Sequence, residues 1–126
     1  MNKLNIEPIR HERVSIDILD NGDGLMVKFN GDIDMEDPGV VLDPLFDTIH
    51  HGMVLNKTPF VVADFNALKF LNSSGIKSIA KWIMKLAMLP PDQKYLIRIA
   101  HNKGIPWQVT SLPTLTFLVP GAVKVE

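Results

Sequence analysis

The chain has 126 residues, 46% of them hydrophobic and 21% charged, with a formal net charge of -1 and no cysteine. This length supports one core burying about two thirds of the unfolded surface, so residues 1–126 read as one domain. The near-neutral charge excludes a general attraction to nucleic acid or anionic membrane, and the missing thiols exclude disulfides, zinc-thiolate sites and cysteine nucleophiles.

Residues 1–13 are polar and interrupted by Pro8, unlike the apolar core of a signal peptide. No window approaches the roughly 20 apolar residues of a membrane span, so the expected setting is the cytoplasm without membrane insertion. Residues 1–12 carry too little periodicity to assign an element. Val14, Ile16 and Ile18 then alternate with Ser15 and Asp17 as a half-buried strand does. Asp20 Asn21 Gly22 Asp23 Gly24 is a hairpin loop with Leu25 to Asn30 as the returning strand; a calcium loop would need a bidentate Glu at its twelfth position and helical flanks.

Gly31 to Asp37 is an acidic exit from that strand. Asp43 suits an N-cap with Pro44 at the first helical position, Leu45, Phe46 and Ile49 on one face, and Gly52 as the stop. His50 and His51 close this helix; adjacent positions point about 100° apart, which disfavours a shared metal, and no metal or cofactor is expected. The apolar run Phe60 Val61 Val62 Ala63, ending at Asp64, reads as a central strand covered on both faces.

Within Asn72 Ser73 Ser74 Gly75, from Ser74 onward, the period becomes helical. Ile76, Ile79, Ala80, Ile83, Leu86 and Ala87 form the expected core stripe, and Lys77, Lys81 and Lys85 the solvated side. Trp82 falls on a flank beside Ser78 and Lys85, with Met84 and Met88 on the other flank, so an interaction face is expected there, with Ser78, Trp82 and Lys85 as its contacts. Pro90 Pro91 end the helix, Lys94 to Ala100 reads as a strand, Pro106 opens a short helix to about Leu112, and Val123 and Val125 mark a final edge strand. The expectation is an α/β domain with a mixed sheet of four to five strands and helices mainly covering one face.

Val61 Val62 Ala63 Asp64 Phe65, Leu68, Phe70 Leu71 and then Asn72 Ser73 Ser74 Gly75 Ile76 resemble the signature of the STAS domain, the family of sulfate transporter and anti-sigma factor antagonist domains. The family pattern is an apolar strand ending in Asp, a spacer with apolar positions, and Asp-Ser-Ser-Gly-Leu opening a helix. Gly31 Asp32 Ile33 Asp34 is similar to the family's Gly-Glu-Leu-Asp segment. The resemblance spans roughly Leu25 to Ala100, and Asn72 departs from it by standing where the family has Asp.

The resemblance implies a bacterial, non-enzymatic regulator that exchanges partners when a serine is phosphorylated. It implies Ser73 as the acceptor, with Ser74 as second choice, and a switch flanked by Asp32, Asp34, Asp64, Asn72 and Gly75. The implied partners are an anti-sigma factor that is itself a serine kinase, and a phosphatase. The alternative is a constitutive STAS interaction module of the stressosome, biofilm or transporter-associated kind, with or without a small ligand, in which the serines only cap the helix. No nucleophile motif pairs a serine with any histidine, so an enzyme is not expected.

Overall fold

The computed structural model describes residues 2–126. The elements follow in the order β1 (Ile9–Arg10), β2 (Val14–Asn21), β3 (Gly24–Ile33), α1 (Gly39–Leu55), β4 (Phe60–Leu71), α2 (Ser73–Lys85), β5 (Leu96–Ala100), α3 (Pro106–Ser111) and β6 (Val123–Val125). They build one mixed sheet of six strands in sequence order, antiparallel from β1 to β3 and parallel from β3 to β6. The strand beyond the expected four to five is β1, whose two residues leave no period to read. Residues 2–6 are also tied down, because buried Asn2 donates to the carbonyls of Ile6 and Ile18 and accepts from the Leu4 and Ile6 amides.

Each parallel crossover is right-handed by default, and here every one steps the same way across the sheet. The helices therefore fall on one face, where Ile16, Val27, Phe29, Val61, Phe65 and Ile97 meet Phe46, Ile49, Ile79 and Ile83 in the core. The helices do not cover the other face, yet Val62 there is only 5% exposed, so the apolar run is buried on both sides as expected although helices cover one. Val61 and Ala63 enter the core; Val62 lies on the other face, with Met26 and Arg98 at the register positions beside it. There Arg98 sits over the Phe60 ring, 5.1 Å from its centroid, and pairs with Glu126.

α1 begins at Gly39, four residues before the expected cap, and runs through Gly52 to Leu55. Amides 41 and 42 both bond the Pro38 carbonyl, so Pro44 lies inside the helix, and the turn after Gly52 is retained because Met53 is buried. Asp43 caps nothing; it faces α2 and pairs with Lys81 at 3.2 Å. α2 stops at Lys85, before Pro90, and relaxes into a 3-10 turn at Leu86–Met88.

β4 is seven residues longer than the apolar run suggested. Its register with β3 slips twice, so that Asp64 to Ala67 matches Lys28 to Asn30 and Leu68 to Phe70 matches Gly31 to Asp32. Each slip places an extra residue on β4, which is how Phe65, Leu68 and Leu71, three apart, all reach the core. β5 pairs only as far as Asp64, and α3 supplies donors to the strand beyond it. Buried Gln108 donates to the carbonyls of Phe65 at 2.6 Å and Leu68 at 2.9 Å, and Trp107 Nε1 donates to that of Lys69 at 2.8 Å.

A second polar chain crosses the helical layer. Trp82 Nε1 donates to the Tyr95 hydroxyl at 2.9 Å, which leaves that hydroxyl to donate to His50 Nδ1 at 2.7 Å. Burial raises the Tyr95 pKa, while burial and the neighbouring His51 lower that of His50 below 6.5. A depressed histidine pKa means that stability is complete above about pH 6.5 and falls as pH drops through the folded-state value, because the unfolded chain takes up the proton first. The melting temperature is expected to fall between about pH 7 and 5, and to fall less in His50→Gln; equal slopes in thermal melts of the two proteins would refute this.

Candidate functional site

The N-termini of α1 and α2 both lie at the edge of the sheet where the parallel strands end, since each helix directly follows the strand that precedes it. Asn72 joins the two exits at this edge. Its amide N–H donates to the Ile33 carbonyl at 3.0 Å and its carbonyl accepts from the Ile76 amide at 3.1 Å. Its side-chain Oδ1 accepts from the Gly75 amide at 2.8 Å, and Nδ2 donates to the Met35 carbonyl at 2.8 Å. The first side-chain bond is an N-cap that Asp would make equally well. The second requires an amide, because an ionised carboxylate has no proton to donate. Asn at this position therefore does a structural task that Asp cannot.

Since Asn72 caps the helix, Ser73 and Ser74 do not. They occupy the first two helical positions, and both are exposed. Their amides precede the first intrahelical bond, where an anion is favoured by free donors and by the helix dipole. Gly75 is buried beneath them. A Cβ there would collide with the Leu71 side chain and come within 3.2 Å of Ile33 Cγ2, so only glycine lets the first turn of α2 rest on the ends of β3 and β4.

Asp32 and Asp34 flank Ile33 and so lie beside this edge, but not as free charges. Arg13 Nε donates to Asp34 at 2.9 Å, and Arg13 Nη2 lies 2.7 Å from Asp34 and 3.5 Å from Asp32. The Asp34 hydrogen bond, then its charge, raises the Arg13 pKa. Arg13 is brought there by Gly31, whose φ of +114° and lack of a Cβ let the Asp32 amide bond the Arg13 carbonyl at 2.9 Å. The sequence reading missed Arg13, which is distant in the chain and has no motif around it.

Asp64 is not part of this cluster. It lies about 20–25 Å back along β4, where its Oδ1 accepts from the Asn66 amide at 2.9 Å and the Asn66 side chain at 2.8 Å within the first bulge. Its role is to hold that irregular turn of strand.

Ser78, Trp82 and Lys85 do share a groove of about 250 Å³ between α1 and α2, with Asp43, Phe46, Asp47 and Lys81. The buried face of α2 is rotated from the expected stripe, through Gly75, Ser78, Ile79, Trp82, Ile83 and Leu86, while Ala87 is exposed. Trp82 is only 1% exposed and stacks on Phe46 with centroids 4.7 Å apart and planes 5° from parallel. Ser78 is 3% exposed and its hydroxyl, then Lys81, lowers the Asp43 pKa. Of the three expected contacts only Lys85 is partly exposed, and it pairs with Asp47. Trp82 and Ser78 therefore join the helices and do not present a docking anchor, which corrects that expectation.

No family model matches this sequence, and no curated protein matches it. Among solved structures, the fold is similar to that of an anti-sigma factor antagonist from Mycobacterium paratuberculosis, with a TM-score of 0.62 and 21% identity, covering 88% of this chain and 85% of that one. At that identity the likeness is one of fold: the sheet and helix arrangement expected of a STAS-like domain is present. Among the described residues no helix is long and apolar enough to cross a membrane.

Two outcomes follow for the site. Asn72→Asp, which keeps the cap and loses the bond to Met35, is expected to cost about 1–2 kcal/mol, and Asn72→Ala more, in denaturant titrations; parental stability in Asn72→Asp would overturn the role given to the amide. Trp82→Ala is expected to cost about 3–5 kcal/mol, read as a large drop in the unfolding midpoint, because it empties a buried, stacked and hydrogen-bonded position.

Proposed function

We propose that this protein is a non-enzymatic regulatory binding module of the cytoplasm, similar in action to an anti-sigma factor antagonist, which exchanges protein partners when Ser73 is phosphorylated. The observation that carries this reading is the division of labour at the start of α2: Asn72 caps the helix, leaving the exposed Ser73 hydroxyl free for modification. A phosphate there adds close to two negative charges beside helix amides that accept an anion, so the fold tolerates it. A partner docked over the same edge has to desolvate those charges. A loss of about 2–3 kcal/mol weakens binding by roughly 30- to 150-fold, enough to replace one partner by another. The partners that this reading requires are a serine kinase that is also the protein bound, and a phosphatase.

A second reading, a constitutive interaction module, is favoured by one observation. The position where the family carries a carboxylate holds an uncharged amide committed to the Met35 carbonyl, so a kinase that orients its substrate through that carboxylate finds none. Ser73→Ala and Ser73→Asp separate the two readings. A switch predicts that the alanine variant keeps its affinity for the candidate kinase partner in calorimetry, and that the aspartate variant loses about tenfold or more, with both retaining the parental melting temperature. Equal affinities, together with no phosphate on Ser73 by mass spectrometry after incubation with that kinase and ATP, would favour the constitutive module.

A further inference from the structure

α2 has a third side, which faces neither the sheet nor α1. Lys77, Ala80, Lys81, Met84, Lys85 and Met88 form a continuous surface there, with Met84 47% and Met88 85% exposed. Ser73, Lys77, Ala80 and Met84 follow one another at helical spacing, and Met88 extends the line into the 3-10 turn. The stripe is about 22 Å long, the length of some 15 helical residues.

We propose that this stripe is a docking site for an acidic amphipathic helix of a partner protein. It rests on the reading of the protein as a partner-binding module, but not on phosphorylation. The apolar floor consists of methionine and alanine, and unbranched, polarisable methionines adapt to the side chains of an incoming helix. Three lysines border the floor and no carboxylate lines it. Asp43 and Asp47 pair with Lys81 and Lys85 from the α1 side, and exposed pairs of this kind are weak enough for a partner's glutamates to share the same lysines.

The same charges argue against two other occupants. A second copy packed two-fold on this stripe would set lysine rows against each other. An anionic membrane surface is recognised by clusters of about four to eight basic residues, and here there are three lysines, two of them already paired. A helix that carries glutamates around a leucine row satisfies both the floor and the border. Because Ser73 begins the line, a phosphate there would meet the end of that acidic helix with like charge.

The test uses the full chain and a fluorescent synthetic helix with leucines at i, i+3, i+4 and i+7 flanked by glutamates, beside a control with lysine in place of every glutamate. Anisotropy is expected to show the acidic helix binding about tenfold tighter than the control or better, with the difference shrinking as salt is raised. Met84→Ser/Met88→Ser, which alters only exposed positions, is expected to lower affinity about tenfold with the melting temperature unchanged, and Lys77→Glu to lower it as well. No binding of the acidic helix, equal binding of the two peptides, or indifference to the methionine double variant would each overturn the proposal. So would adsorption to phosphatidylserine vesicles, or a concentration-dependent dimer, that the double variant abolishes. Ser73→Ala is expected to bind the acidic helix as the parent does. If the stripe binds as expected while Ser73→Ala and Ser73→Asp bind the kinase equally, the switch fails and the docking stripe stands; if the stripe fails while the Ser73 variants still differ toward the kinase, the reverse is true.

Discussion

The handedness of the crossovers constrains everything else. From β3 onward the strands are parallel and laid down side by side in one direction, and a right-handed connection that always steps the same way returns on the same side of the sheet. One face therefore carries the helices and the main core, and the other does not. The same rule gathers the N-termini of α1 and α2 along one edge of the sheet, where partial positive charge and unpaired amides favour anions. The candidate edge is thus a product of topology before any particular side chain is considered.

Two polar side chains make that topology hold. Gln108, fully buried, supplies donors where β5 has ended and β4 continues, so the bulged half of the central strand keeps its carbonyls satisfied. Asn72 then ties the exits of β3 and β4 to the first turn of α2. Unsatisfied buried groups cost far more than a satisfied bond contributes, so these amides are chosen for carrying both a donor and an acceptor. At position 72 the bond to the Met35 carbonyl favours Asn over Asp, and with it an uncharged side chain beside Ser73. Arg13 acts in the same direction by engaging Asp32 and Asp34, so the unmodified edge is less acidic than these two aspartates imply.

The two sides of α2 that face away from the sheet differ in what encloses them. Toward α1, Trp82 and Ser78 are enclosed by Phe46 and Asp43 and hold the helices in register. Away from α1, Met84 is about half exposed and Met88 largely exposed. A large aromatic on a helix flank is a plausible anchor in sequence, but in a small domain the same ring is the cheapest way to fill the gap between two helices. Which outcome applies depends on how closely α1 approaches, and here it brings Phe46 to 4.7 Å from the Trp82 ring.

By itself, the sequence determined the features that rest on local chemistry: alternation placed β2 and β3, the Gly22–Asp23 turn joined them, the apolar run marked the first half of β4, and the Asn-Ser-Ser-Gly segment began α2 one residue from where it was read. Only the tertiary structure decided the rest. Phe65, Leu68 and Leu71 share a face because two bulges reset the pleat, a three-residue spacing that belongs to no regular strand. Arg13 reaches Asp34, and Trp82 meets Phe46, across separations in the chain that no local period encodes. Local preference sets where elements begin and how they are patterned; the approach of one element to another settles which side chains become core, which neutralise each other and which remain for a partner, because burial and pairing depend on neighbours brought together by the fold.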